Sequence, residues 1–390
     1  PFFGMICIAD ETIKEVSEDK SQPDQSGILK PGSKIKPEIK VEVVEALVRR
    51  LYGITTSAIK ECISYDDRNF IITEDPNMKN PLIVPHWPHG YVLKILNKLD
   101  SKKIDFIEAQ NQLMIYLAKQ NINCPKPILN VTGKYYSVEN INGDDNVVRL
   151  LQYLPGKIFH EVPKTNYLLF NSGEYIAKFD RANFQDEAYE THKNTWMLQS
   201  MPNLRNFLYV LEDHARKAIV EEIIESFEAN VLTKLESFES QIIHGDYNEH
   251  NIIVDLVPGS QNDEYKIAGI IDFGDTNKSP IIFEVGIAMV YIMLQARSLE
   301  SGGIFLAGYN SIRPMSANEK QYLKYCVAAR LAQSLVMGVY TYLQDQSNDY
   351  VLVTQEYGWK LIEELWGEHF SKIDEIWQTS ADKYLTQSIK

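Results

Sequence analysis

Cysteine is scarce in this chain: Cys7, Cys62, Cys124 and Cys326 are the only four among 390 residues, and none stands at a metal-ligand spacing. That excludes a disulfide scaffold and a Cys-based zinc module, and it predicts reduced thiols in a cytoplasmic protein. Long apolar runs are missing as well. No stretch approaches a membrane span, and the apolar opening Pro1–Ala9 is short and lacks the basic lead of a signal peptide. Positive charge is in deficit, with 39 Lys and Arg against 53 Asp and Glu and a formal net charge of −14. Broad attachment to nucleic acid or to an anionic membrane is therefore disfavoured, and a cationic small molecule is the better partner. Neither an internal repeat nor a low-complexity run is present. The remaining composition, 44% hydrophobic and 24% charged, is that of a globular protein long enough for two lobes.

What the chain does have is two short apolar runs that each deliver polar residues at their ends. The first is Ile242-Ile-His244-Gly245-Asp246-Tyr-Asn-Glu249-His-Asn251-Ile-Ile-Val254, and the second is Ile270-Ile-Asp272-Phe-Gly-Asp275. His-Gly-Asp with Asn five positions after the Asp, then Asp-Phe-Gly, is the layout of a kinase catalytic loop followed by its metal-binding loop. The stretches 252–257 and 265–271 read as two strands of a hairpin, with Pro258–Glu264 as the connection. A hairpin returns Asp272 to the neighbourhood of Asn251. The two then offer an amide oxygen and a carboxylate to Mg²⁺, which prefers hard oxygen ligands. Asp246 is left to accept the proton of a substrate hydroxyl.

Upstream, a helical stripe over 37–52 is followed by strand, turn and strand over 59–72, interrupted by Ser64-Tyr-Asp-Asp-Arg-Asn69-Phe70. This loop lacks the glycines of a phosphate loop, so its backbone amides, with Ser64 and Asn69, are expected to cradle the phosphates. A strand then carries Lys94, and a helix fourteen residues on carries Glu108. Together they predict the ion pair that positions the α- and β-phosphates. Arg149–Gly156 reads as the hinge, with the backbone of Gln152, Tyr153 and Leu154 facing the purine edge. Beyond Gly156 the pattern turns helical, including a run after Pro280 that is apolar almost all round but for Glu284, and a long helix from Lys320 bearing Arg330. Strand-rich first and helix-rich later predicts an α+β, bilobal protein kinase-like fold with a β-rich N-lobe and a helical C-lobe. The expected division is a flexible leader over 1–32, a nucleotide-binding N-lobe over 33–155 and a catalytic, substrate-binding C-lobe over 156–390.

With these residues placed, the chain resembles the aminoglycoside phosphotransferase and choline kinase-like superfamily. Gly245 stands where protein kinases have Arg, and no Ala-Pro-Glu follows the Asp-Phe-Gly. From about residue 38 onward it is similar to the hydroxylysine kinases. The shared stretches include Ser64–Phe70, Tyr91–Ile95, Val148–Gly156, His244–Ile252, Gly269–Asp275, Phe283-Glu284-Val285, Gln333–Met337 and Thr354–Trp359. The resemblance implies a cytoplasmic kinase that uses GTP to phosphorylate the side-chain hydroxyl of 5-hydroxy-L-lysine in lysine catabolism. ATP remains open as donor. Homoserine, choline, ethanolamine or an aminoglycoside remain open as acceptor, and a catalytically silent nucleotide-binding scaffold is the rival of another class. For the acceptor's charges the candidates are Asp275 and Glu249 for amines, and Arg330 or His192 for a carboxylate.

Overall fold

The computed structural model describes residues 35–388, apart from 63, 65, 79–82, 84–85, 261–262, 345, 347–351, 353 and 368–369. The leader expected over 1–32 lies outside the described residues.

The N-terminal part is built on an antiparallel sheet. Its strands are β1 (Thr56–Cys62), β2 (Arg68–Glu74), β3 (Tyr91–Ile95), β4 (Pro127–Ile128), β5 (Ser137–Ile141) and β6 (Asp144–Gln152). They lie in the order β1-β2-β3-β6-β4, with β5 also on β6. Helix α1 (Val41–Tyr52) turns Val44, Leu47, Val48 and Leu51 onto this sheet and ends at left-handed Gly53. These residues and Phe70, Ile72, Tyr91, Leu93, Val148 and Leu150 form one core of their own. Helix α2 (Ile104–Lys119) packs on the other side, toward the rest of the molecule.

The second and larger core belongs to the helical part. There α3 (Asn166–Asp180), α4 (His214–Asn230), α5 (Ile281–Ala296), α6 (Ser301–Ile312), α7 (Ala317–Gln344), α8 (Gln355–Trp366) and α9 (Ile373–Ser388) surround three short ladders. Those ladders are formed by β7 (Lys157–Ile158), β8 (Ser240–Ile243), β9 (Ile252–Leu256), β10 (Tyr265–Ile270) and β11 (Asn277–Pro280), with β9 between β7 and β10 and β8 against β11. Every residue of α5 from Ile281 to Leu294 is buried, Glu284 included, as suits a helix apolar almost all round. Two cores, one sheet-based and one helical, make the expected bilobal α+β fold.

The passage between the lobes is close-packed. Gly156 has φ 138°, and a Cβ there would meet Ile253 Cγ2 at 2.5 Å and Val254 O at 2.8 Å. Glycine is required because the incoming chain lies directly on β9. One expectation shifts here: Arg149 belongs to β6 and pairs with Lys94 of β3, rather than lying in the hinge.

Candidate active site

The β9–β10 hairpin pairs Ile252 with Ile270, and Ile271 N–H donates to Asn251 O at 2.8 Å. Asn251 and Asp272 are thereby brought to the same end of the hairpin, as their spacing predicts. Asn251 spends its NH₂ group on Asp246, reaching the backbone oxygen at 3.0 Å and Oδ2 at 2.8 Å. Its amide oxygen is what remains for a cation. Asp272 has φ 61°, a left-handed conformation that costs a non-glycine residue of order 1 kcal/mol or more and persists where surroundings enforce it. Its Oδ1 accepts from Gly274 N–H at 3.2 Å and from Lys94 Nζ at 2.7 Å. Desolvation in the cleft opposes its charge, but Lys94 and these hydrogen bonds outweigh that and bring the carboxyl down to about 2. Asp272 is therefore ionised at physiological pH. An ionised carboxylate beside an amide oxygen fits Mg²⁺ by donor type.

Asp246 is held from three sides. Asn248 Nδ2 and Asn251 Nδ2 both reach Oδ2 at 2.8 Å, and Arg330 Nη2 reaches Oδ1 at 2.8 Å. His244 locks the strand end beneath it. The ring Nε2–H donates to Ile271 O at 3.0 Å, and Nδ1 accepts the Asp246 N–H at 3.3 Å. That pattern needs a neutral imidazole, and burial lowers its pKa accordingly. Gly245 (φ 78°) is forced by contact: a Cβ would stand 2.5 Å from Asp275 O and 2.7 Å from Asn277 Nδ2. Glu284, on the first turn of α5, accepts the N–H groups of His244 and, at 3.1 Å, Gly245. Its carboxylate therefore braces the catalytic loop instead of merely sitting at a helix N-terminus, and burial pushes it well above the usual carboxylate range.

Across the cleft, Asn69, Lys94 and Arg149 are direct cross-strand partners on β2, β3 and β6, so they share one sheet face. Lys94 is 5% exposed and Arg149 1%, which puts two cations at the floor of the N-lobe. Sequence reading missed Arg149 as a side chain. Its strand register opposite Lys94 was the available signal. The expected Lys94–Glu108 ion pair is not the one found. Lys94 pairs with Asp272, while Glu108 accepts from Gln112 at 2.7 Å and from Asn111 at 3.2 Å. Asn111 in turn accepts from Arg149 at 3.3 Å, so Glu108 reaches the cation floor one residue removed.

The Ser64–Phe70 turn also differs from expectation. The Ser64 hydroxyl donates to Asp67 O at 2.5 Å and so closes the turn on itself. Asp67 anchors the turn to the lobe by accepting Asn97 N–H at 2.8 Å. In the hinge, Gln152 N–H is committed to Lys126 O at 2.9 Å and Tyr153 N–H to Gly90 O at 3.0 Å. Trp87 Nε1–H takes Tyr153 O at 2.6 Å. The Gln152 N–H and both backbone groups of Tyr153 are therefore occupied within the protein.

On the acceptor side, Arg330 is 1% exposed and fully engaged. Besides Asp246 it donates to Tyr291 Oη at 3.2 Å, Trp196 O at 3.1 Å and Gln333 Oε1 at 3.2 Å. It acts on Asp246 rather than standing open to a substrate carboxylate. His192 is 6% exposed, stacks on Phe106 at 3.6 Å between centroids, and is driven to about 4 by burial, so it is neutral and a poor anion ligand. Asp275 accepts from Asn194 Nδ2 at 3.1 Å, and burial together with the Asp246 charge raises it well above the carboxylate range. Glu249 is 7% exposed and lies beside His250 instead of facing Asp246's donors.

The family model described as "Phosphotransferase enzyme family" matches residues 67–315. The chain belongs to that family. A hydroxylysine kinase of Xenopus laevis is 34% identical over 367 residues, spanning 90% of this chain and 96% of that one. Among solved structures, a microcompartment-associated aminopropanol kinase superposes with a TM-score of 0.64 at 15% identity, covering 86% of this chain and 99% of that one. An amicoumacin kinase in complex with AMP-PNP, Ca²⁺ and Ami gives a TM-score of 0.60 at 16% identity, with 83% of this chain and 94% of that one covered. This phosphotransferase, acting on an alcohol group, therefore has the kinase-like fold expected of it. No helix among its described residues is long and apolar enough to cross a membrane.

Proposed function

We propose that the protein transfers the γ-phosphoryl group of GTP to the side-chain hydroxyl of 5-hydroxy-L-lysine, in the cytoplasm and as a step of lysine catabolism. The observation that carries this is Asp246, held by Asn251, Asn248 and Arg330, at the end of the same hairpin as the Lys94–Asp272 pair. Hydroxylysine as acceptor is supported by the Xenopus laevis relative named for it, and GTP by the family resemblance.

Residues 33–155 serve as the nucleotide-binding lobe and 156–390 as the catalytic and acceptor-binding lobe. Lys94, with Arg149 beside it, holds the phosphates, and the amides of the 64–70 turn, with Asn69, cover them. Leu154 meets the base. Asn251 and Asp272 hold Mg²⁺, which when bound neutralises charge on the phosphate oxygens. Asp246 orients the acceptor hydroxyl. That oxygen bonds to the γ-phosphorus as the bridge to the β-phosphate breaks, GDP departs, and the hydroxyl proton passes to the Asp246 carboxylate. Positioning and electrostatics supply most of the rate. Burial and the Asp246 charge raise Asp275, with Arg330 acting against them, so an acceptor ammonium placed against Asp275 would favour its ionised form and pair with it.

The test is GDP or ADP release with GTP and ATP against hydroxylysine, homoserine, choline, ethanolamine and an aminoglycoside, for the wild type and Asp246→Asn. Expected are highest kcat/KM for hydroxylysine with GTP and a loss of about 10²–10⁴ in kcat for the variant with nucleotide affinity kept. A better acceptor elsewhere in the panel overturns the substrate. Nucleotide binding without turnover on any alcohol overturns the kinase reading in favour of a scaffold.

A further inference from the structure

Outside the phosphoryl-transfer residues, a second set of metal-type donors converges where the chain enters the helical lobe. Antiparallel pairing of β7 with β9 sets Ile158 opposite Ile253, which carries His160, two residues on, to the start of β9. There His160 N–H donates to Glu249 O at 3.1 Å. One ligand atom each from His160, Glu249 and His250 lies within 4.8 Å of the others. The imidazoles of His160 and His250 stack at 5.2 Å, and His250 Nε2 stands 3.5 Å from Glu249 Oε1.

Two further features point to a ligand. Glu249 is 93% enclosed (7% exposed), and its Oε2 accepts no hydrogen bond. A buried carboxylate oxygen left unmatched is costly, and a cation is one remedy. Gln295, at the end of α5, fixes the outer imidazole: its amide oxygen lies 3.1 Å from His160 Nδ1. A carbonyl only accepts, so Nδ1 carries the proton and the Nε2 lone pair is left for a metal. This is the arrangement in which a second partner sets a ligand's tautomer. Lys164 does not take the role of that cation, because its ammonium is bonded to the backbone oxygens of His160 and Val162.

We propose that His160, Glu249 and His250 form a site for a borderline divalent cation of the Zn²⁺ type, distinct from the hard-oxygen pair Asn251 and Asp272. Two imidazoles and one carboxylate are a ligand set that Zn²⁺ accepts and that Mg²⁺ avoids. A cation there ties the turn after the hinge to the catalytic loop, two residues before Asn251. It also engages the Glu249 carboxylate, which then no longer serves an acceptor amine.

The test is calorimetric titration of the full chain with ZnCl₂ in excess Mg²⁺, repeated for His160→Ala, His250→Asn and Glu249→Gln. The expected result is one Zn²⁺ per chain, a higher melting temperature with Zn²⁺, and an affinity loss of about tenfold or more in each variant. Co²⁺ loaded in place of Zn²⁺ should show visible d–d bands without the near-ultraviolet thiolate band, which separates this site from the cysteines. No uptake, a thiolate spectrum, or uptake unchanged in the variants overturns the proposal. His160 is exposed, so His160→Ala keeps its packing and decides the matter even if the buried Glu249→Gln fails to fold.

Discussion

At the scale of single residues, Arg330 is where the fold decides between two readings. A lone Arg in an apolar helix stretch (Val327, Ala328, Ala329, Leu331, Ala332) reads as a salt-bridge or snorkelling residue or, facing the cleft, as a hand for a substrate carboxylate. The fold makes it a salt bridge to Asp246. In the fold its guanidinium is 1% exposed and its donors meet Tyr291, Trp196, Gln333 and Asp246. An ion pair with one partner this buried holds Asp246 in a single orientation. Arg330→Lys keeps the charge but loses the planar fork, so kcat is expected to fall by about 10²-fold while the acceptor KM changes little. Steady-state kinetics with hydroxylysine, and with its carboxamide in place of the carboxylate, checks this. A raised KM for the carboxylate substrate alone, with kcat kept, would return Arg330 to substrate binding.

At the scale of elements, the hairpin from Ile252 to Ile270 and the loops at its end were legible in the sequence. Strand propensity, a turn-rich connector and fixed polar positions all agree there. The Gly245 contact was not legible, because it depends on β8 and β11 pairing Ile243 with Asn277 and so pressing Asp275 O onto the loop. Gly245→Ala should cost about 1–3 kcal/mol in urea denaturation, from the left-handed φ and the blocked approach, and lower kcat as Asp246 shifts. The Lys94–Glu108 pair was misjudged for a related reason. Spacing puts a Glu on α2, but the rotation of that helix decides which side chain meets the sheet. Here Asn111 meets Arg149, and Glu108 lies one turn earlier beside Gln112.

At the scale of the whole molecule, buried titratable groups couple the fold to pH with opposing signs. His192 falls to about 4 from an ordinary 6.5 because it is buried near Lys103, against Asp100. The unfolded chain binds that proton first, so the stability tied to neutral His192 is complete above about pH 6.5 and is lost as pH falls toward 4. Asp66 and Asp180 run the other way: burial raises both to about 7, so their contribution fades as pH rises from about 4 to 7. The clean readout is therefore a difference. Denaturation of His192→Gln and wild type across pH 4–7 should show the wild type losing on the order of 3 kcal/mol relative to the variant toward the acid end. A constant difference would mean that His192 titrates as in the unfolded chain. The sequence by itself determined the two-lobe order and the hairpin, and singled out Asp246, Asn251, Asp272 and Lys94 as candidates, because each follows from local patterning and motif spacing along the chain. Only the tertiary structure decided which charges face one another: Lys94 with Asp272, Arg330 with Asp246, Arg149 beside Lys94 and Glu284 beneath His244. Electrostatic pairing acts through a few ångströms of space between residues tens to nearly two hundred positions apart, and no local pattern encodes that distance.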